Sequence, residues 1–152
     1  MDLTTTTMSK RSCLINTNAP VQNRSLITAT NYEAESLTNT FISSSIQTCS
    51  VCSGERKVTN IGFANELIIE QISSTNGGLT TIIFYYLTDR QRYAQLSLNN
   101  ELTSTNITFP AMLPNQPIAS VSILLTLCQG FNSLRIYNRN DYTAAIDRII
   151  VY

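Results

Sequence analysis

The sequence from residue 32 onward is a succession of short β-branched and aromatic runs separated by turn residues. Such runs are typical of β-strands, and no stretch keeps an apolar period of 3.6 residues for three helical turns. In the run 118–127, Ser122 and Thr126 alternate with apolar residues at a period of two, as in a half-buried strand. Short strands at this spacing predict an all-β fold, an antiparallel β-sandwich. The predicted strands are 32–36, 41–47, 57–61, 66–72, 79–88, 91–98, 102–109, 118–127, 131–137 and 145–151.

The chain of 152 residues has room for one domain. Residues 1–28 carry little periodicity and much Thr, Asn and Ser, so we predict an extension or linker there. Residues 29–152 are the predicted β-sandwich domain. Within it, Asn99-Asn100 separates two strand-like runs and predicts a tight hairpin, because Asn tolerates a positive φ.

The charge balance excludes several classes of partner. Ten Lys and Arg residues face ten Asp and Glu residues, so the chain has no basic field for nucleic acid or an anionic membrane. There is no His, which excludes Ser-His-Asp and Cys-His catalysis and the commonest zinc ligand. The longest apolar run, residues 82–87, is far shorter than the roughly 20 residues of a membrane-spanning helix.

The features that bear on location point outside the cell. Ser, Thr and Asn make up about a third of the chain, which favours a β-rich, extracellular protein. Two possible N-glycosylation sequons begin at Asn23 and Asn106. No signal peptide is visible in residues 1–10. We therefore expect a secreted protein, of which this chain is either one piece of a longer polypeptide or the mature form without its leader.

The four cysteines are Cys13, Cys49, Cys52 and Cys128. Four cysteines allow three full pairings, among which sequence alone does not choose. Cys49 and Cys52 have two residues between them, and this spacing has three interpretations: a redox pair, half of a zinc site, or a local disulfide. The other two cysteines lack spacing partners for zinc, and no helix pattern follows Cys52, so we predict the local disulfide.

The segment Tyr32-Glu33-Ala34-Glu35-Ser36 places two carboxylates at i and i+2, on one face of a predicted strand. Two interpretations compete. Carboxylates about 5 to 9 Å apart could be the catalytic pair of a glycosidase. Alternatively, because like charges repel, a cation lies between them, and an oxygen-loving ion such as calcium is the simplest one. We favour the cation over catalysis.

Two further segments follow in order: residues 49–62, with Cys-Ser-Val-Cys-Ser-Gly-Glu-Arg-Lys-Val and then Asn-Ile-Gly, and the chain's closing segment 132–149. The closing segment contains Asn-Ser-Leu-Arg-Ile-Tyr-Asn, then Tyr142, then Ile-Asp-Arg-Ile. Together with the Glu-Ala-Glu strand they resemble the family 35 carbohydrate-binding modules and their family 6 relatives. The cysteine doublet is most similar to modules attached to fungal α-galactosidases and galactanases. The resemblance covers about residues 30–152.

The resemblance implies a non-catalytic β-sandwich with the jelly-roll arrangement. It implies a structural calcium ion held by Glu33, Glu35 and Asp147. It also implies a sugar site in the loop before the last strand, and an attached glycoside hydrolase as a possible partner. The residues that match the sugar site by position are Tyr142, Asn138 and Asn140.

The ligand that follows is a neutral, galactose-containing glycan. Its neutrality follows from the zero net charge and the lack of a basic cluster, although Arg139 stands in the loop; galactose is what the cysteine doublet implies. A Tyr ring can stack on a sugar while amides bind its hydroxyls. Under the competing interpretation, Tyr142 covers the rim of the core.

Some features depart from the family pattern. Ala145 stands where relatives often have an Asp or Asn acceptor, and Gly54-Glu55 stands where Gly-Gly is usual. A missing acceptor costs about one to three kcal/mol, so we expect weak sugar binding. These departures, together with Cys13, Cys128 and the Thr-rich extension, favour an alternative function: a structural or adhesive extracellular protein that forms a homo-oligomer through the same sandwich.

Overall fold

The structure, a computed structural model, describes residues 28–152, in which eleven β-strands form two antiparallel sheets. The predicted extension therefore lies almost wholly outside the described residues. The one helical turn in the described part is the 3₁₀ turn Ser53–Glu55. The strands are β1 Thr30–Glu33, β2 Thr40–Ile42, β3 Ser45–Thr48, β4 Arg56–Thr59, β5 Glu66–Ser74, β6 Gly78–Leu87, β7 Arg92–Leu98, β8 Thr105–Phe109, β9 Ala119–Leu127, β10 Gly130–Tyr137 and β11 Ala145–Val151.

The two sheets differ in strand order. One has the order β3-β4-β11-β6-β9, with β1 also paired to β11, and the other has the order β2-β5-β10-β7-β8. Their inward side chains form one core that includes Phe84, Tyr86 and Phe109, whose rings meet edge to face at centroid distances of 5.0 and 5.9 Å. The predicted antiparallel β-sandwich is confirmed.

Each predicted strand overlaps an observed strand, although not always with the same ends, and one predicted strand is divided into two. The sequence predicts one strand over 41–47, but this run forms β2 in one sheet and β3 in the other. Ser43, with a positive φ of 54°, separates them, so the chain turns and crosses between the sheets there. The turn predicted at Asn99-Asn100 is confirmed, since both residues have positive φ, at 51° and 59°, and the Glu101 N–H donates to the Leu98 carbonyl oxygen at 2.8 Å. The hairpin is not tight, however, because the pairing of β7 with β8 begins only at Leu96 and Thr105.

Candidate functional site

The first candidate site forms where β1 and β4 meet end to end along β11. In β11, Ile146 pairs with Val58 of β4, and Arg148 pairs with Glu33 of β1. Asp147 lies between these pairs, at a register shift against β6. Such a bulge re-aims a side chain, which accounts for a fully buried carboxylate beside the buried Ile146.

Glu33 and Glu35 both lie at this junction, but they do not lie on one strand as the sequence predicts. The strand predicted at 32–36 ends at Glu33, and Glu35 lies in the following turn, so the two do not share one strand face. The Ala34 N–H donates to the Asp147 carbonyl oxygen at 2.9 Å, which holds this turn against β11. The carboxylates of Glu33, Glu35 and Asp147 are close enough to influence one another electrostatically. We call these three residues the acidic cluster.

A disulfide joins Cys49 and Cys52, as predicted, and it closes the loop that delivers Ser53 and Gly54 to the acidic cluster. The Ser53 hydroxyl donates to Glu33 Oε1 at 2.6 Å. Gly54 has a φ of 60°, and a Cβ atom there would lie 2.7 Å from Glu35 Oε1. Glycine is therefore needed at this position on two counts: its backbone conformation and the approach of the carboxylate.

Burial without enough partners makes the acidic cluster unfavourable as it stands. Burial raises the pKa of Asp147 from 3.8 to about 6; the Arg148 guanidinium opposes this rise, whereas repulsion from Glu33 and Glu35 adds to it. Burial also raises the pKa of Glu35. Glu33 Oε2, Glu35 Oε2 and Asp147 Oδ1 are buried and have no hydrogen-bond partner within the described structure. Arg148 donates to the other Asp147 oxygen, Oδ2, at 2.8 Å, so what the cluster lacks within residues 28–152 is a partner for these three oxygens.

The chemistry of these groups fits a calcium ion. All of the atoms that could coordinate a metal ion here are oxygens, which hard divalent cations prefer. A surface groove of about 450 Å³ beside Glu33 and Glu35 gives an ion access to them. Residues 28–152 contain no group of three acidic or cysteine side chains that already surrounds a metal position. To share one ion, the three carboxylates would have to rotate toward one another.

The second candidate site is built on residues 138–142 of the loop between β10 and β11, which we call the 138–142 loop. Asn138 fixes its start: its side-chain amide donates to the Tyr93 carbonyl oxygen at 3.0 Å, and its Oδ1 accepts from the Asn140 N–H at 3.0 Å. On the other side, a Cβ atom at Gly62 would lie 2.2 Å from the Asp141 carbonyl oxygen. Gly62, with a φ of 135°, therefore lets the loop pack against residues 60–65.

Asn138 and Asn140 line a surface groove of about 410 Å³, which we call the amide groove. The groove runs over the outward side chains of β7 and β8 and brings an exposed Tyr ring next to four side-chain amides. None of its lining side chains carries a charge at neutral pH. The lining residues are Tyr93, Ala94, Gln95, Asn106, Thr108, Asn138 and Asn140.

Tyr142, the predicted stacking residue, is not among the residues that line the amide groove. Its ring, 42% exposed, meets the ring of Phe63 edge to face at 4.9 Å between centroids. Phe63 is itself half exposed and has a positive φ of 57°, a conformation in which a bulky residue is an outlier. Its N–H donates to the Asn138 carbonyl oxygen at 2.5 Å, so Phe63 and the 138–142 loop hold each other.

Sequence reasoning missed Tyr93, Gln95 and Phe63. The alternation in 92–96 does indicate that Tyr93 and Gln95 share a strand face, opposite Ala94 and Leu96. It carries no signal that the 138–142 loop lies beside that face. Ala145, which replaces the acceptor usual in relatives, begins β11 and is partly exposed.

The remaining predicted positions divide between described and undescribed residues. Asn106 is exposed on β8, whereas Asn23 and Cys13 lie outside the described residues. Cys128 is disulfide-bonded, and its sulfur also accepts from the Asn99 side chain at 3.4 Å. No helix in residues 28–152 has the length and apolar character to cross a membrane.

No family model and no curated protein matches the sequence, but solved structures do match the fold. A family 35 carbohydrate-binding module from Clostridium thermocellum matches with a TM-score of 0.75 at 23% identity, over 80% of this chain and 97% of its own. A family 35 module from Paenibacillus barcinonensis matches with a TM-score of 0.71 at 22% identity, over 81% and 98%. The predicted jelly-roll fold and the resemblance to family 35 are confirmed by these neighbours.

An exo-β-1,3-galactanase from Phanerochaete chrysosporium, crystallised with galactose, also matches, with a TM-score of 0.74 at 30% identity. The match covers 84% of this chain but only 30% of the galactanase chain. This chain thus corresponds to nearly the whole of the isolated binding modules and to a minor part of the enzyme. Its fold is that of the isolated family 35 modules.

Proposed function

We propose that this protein binds a neutral, galactose-containing glycan and that a calcium ion stabilises its fold. The glycan binds at the 138–142 loop and the amide groove, through Asn138, Asn140 and the ring of Tyr142. The structural neighbours support carbohydrate binding in general. The observation that carries the proposal for this chain is the amide groove, in which four neutral amides lie beside the exposed ring of Tyr93; Tyr142, in the same loop as Asn138 and Asn140, provides a second exposed ring outside the groove.

The character of the groove favours a neutral sugar. Amide groups donate to and accept from hydroxyls, and a Tyr ring packs on the apolar face of a pyranose. The arginines behind the loop are occupied: Arg92 pairs with Asp141 at 3.1 Å, and Arg90 reaches the same carboxylate at 3.8 Å. Arg139 is the exposed cation of the loop itself. A charged sugar would therefore find one partner at most, which makes a neutral sugar the better match.

Galactose is the sugar that the comparisons support best. The galactanase that shares 30% identity with this chain was crystallised with galactose, and its variants with β-1,3-galactotriose. In this chain Asn138 uses its amide and its Oδ1 to hold the loop, and Ala145 offers no acceptor. We expect binding no tighter than high micromolar.

The calcium ion belongs at the acidic cluster of Glu33, Glu35 and Asp147. Three buried carboxylate oxygens without partners and a raised pKa of Asp147 support this site. An ion there would join the end of β1, the loop that follows the disulfide, and β11. It would act on stability and not directly on the sugar.

Calorimetry with β-1,3-galacto-oligosaccharides, and with neutral glucans for comparison, tests the sugar proposal. Replacing Tyr142 by Ala should abolish binding while the sandwich stays folded, because the ring lies at the rim. Phe131→Ala is the matched control: Phe131 is 71% exposed near the opposite end of β10 and should bind like the wild type. If the wild type binds none of these sugars, or if Tyr142→Ala unfolds the domain, the site is wrong.

The wider setting follows from the same comparisons. The disulfide suits an oxidising environment and is consistent with a secreted protein. Because the chain matches 30% of a galactanase chain, an attached glycoside hydrolase is the partner that we propose. Self-association, the alternative function, gains no support from the neighbours, and a size measurement in solution tests it.

A further inference from the structure

The sequon Asn106-Ile107-Thr108 lies in the wall of the amide groove. All three residues are in β8, where Ile107 points into the core while Asn106 and Thr108 are exposed and line the groove. In the described structure β8 is an edge strand, paired only with β7. The residue that would carry an N-linked glycan is thus also a residue that faces the proposed sugar ligand.

The register places the glycan's first sugar beside the aromatic ring of the groove. Asn106 pairs with Gln95, and Thr108 pairs with Tyr93, so Asn106 and Tyr93 are diagonal neighbours on one sheet face. Such neighbours lie about 7–8 Å apart, within reach of an aromatic side chain. Tyr93 is 54% exposed, and its backbone is held by Asn138. A pyranose on Asn106 would therefore lie over Gln95 or against Tyr93.

We propose that N-glycosylation of Asn106 fills the amide groove and so blocks the binding of external glycans. The inference rests on the proposed function, and it assigns that site a covalent regulator. A sugar tethered through one side chain has an effective concentration of about millimolar at its own groove. With the high-micromolar affinity proposed for this groove, the tethered sugar occupies it most of the time and raises the apparent Kd of a free ligand several-fold. The protein has two forms: an open module, and a glycosylated module whose groove is occupied.

The test compares the same full chain made in two hosts. Wild-type protein from the bacterial periplasm lacks the glycan, and protein from a eukaryotic secretory host carries it; glycopeptide mass spectrometry measures the occupancy of Asn106. The glycosylated form should bind β-1,3-galacto-oligosaccharides several-fold more weakly, or not at all where the glycan also blocks the groove sterically. The matched variant Asn106→Gln should bind equally from both hosts, whatever its affinity, while it keeps the sequon at Asn23.

A second readout does not depend on the ligand. In nuclear magnetic resonance spectra, the Tyr93 ring of the glycosylated form should show contacts to the first N-acetylglucosamine. Absence of a glycan on Asn106 in the secreted protein would overturn the inference, as would an occupied Asn106 with unchanged sugar binding and no contact to Tyr93. If neither form binds any sugar, the proposed function fails, and the Tyr93 contact alone decides whether the glycan fills the groove.

Discussion

Without the proposed calcium ion, the stability of this protein should depend on pH in a window around pH 6. Asp147 is fully buried, and its pKa rises from 3.8 to about 6. At about 1.4 kcal/mol for each pH unit, ionising this carboxyl in the metal-free fold costs about 3 kcal/mol at pH 7. The chain has no His, so no other side chain ordinarily titrates near pH 6.

The sign follows from which state holds the proton more tightly. The folded protein keeps the Asp147 proton up to about pH 6, whereas the unfolded chain releases it near 3.8. The metal-free protein therefore loses stability as pH rises through this interval, with about 1 kcal/mol of the loss falling between pH 5 and 7. The raised pKa of Glu35 acts in the same direction. The proposed calcium ion would bind the ionised carboxylates, so saturating calcium should remove the decline.

Denaturant unfolding at pH 5 and pH 7, in chelator and in calcium, measures these differences. Asp147→Asn keeps the shape of the side chain but has no charge to bury, so its stability in chelator should fall much less between the two pH values, by the contribution of Glu35 alone, and calcium should leave it unaffected. Asp89→Asn is the matched control, because Asp89 is 87% exposed and should respond like the wild type. The reasoning is refuted if metal-free wild type is equally stable at both pH values, or if Asp147→Asn keeps the wild-type response to calcium.

Two further changes test the local packing. Gly54→Ala should lower calcium affinity more than it lowers the stability of the metal-free protein, because the new methyl group meets Glu35 Oε1. Calcium titration monitored by calorimetry measures this affinity, and an unchanged affinity would contradict the prediction. Asn132→Ala should destabilise the domain by about 3 kcal/mol, because the buried Asn132 side chain bonds the backbone N–H and carbonyl of Cys128 and the side chain of Asn99. Asn140→Ala, at an exposed position, should leave unfolding nearly unchanged, and a similar loss in both variants would count against the buried network.

The sequence alone determined the class of fold. The period-two runs and the turn residues between them sufficed for ten strand predictions, because an alternating apolar face is useful only when it packs on a second sheet. The turn at Asn99-Asn100 was equally local, since the preference of Asn for positive φ does not depend on distant residues, whereas the register of the strands on either side of it was not visible in the sequence. The chain crosses from one sheet to the other at Ser43. Because apolar residues continue on both sides of Ser43, the sequence pattern gave no sign that the predicted strand 41–47 ends there.

The sites were decided by contacts between segments far apart in the chain. The sequence indicated that Glu33 and Glu35 need a cation, but it placed both on one strand. The tertiary structure instead brings them to Asp147 through a turn and a bulge in β11, positions fixed by strand pairing across more than a hundred residues. In the same way, Tyr93 and Asn106 became parts of a groove only because the 138–142 loop folds beside β7. Local propensity sets which residues are strands and turns, whereas strand register and loop packing decide which side chains meet.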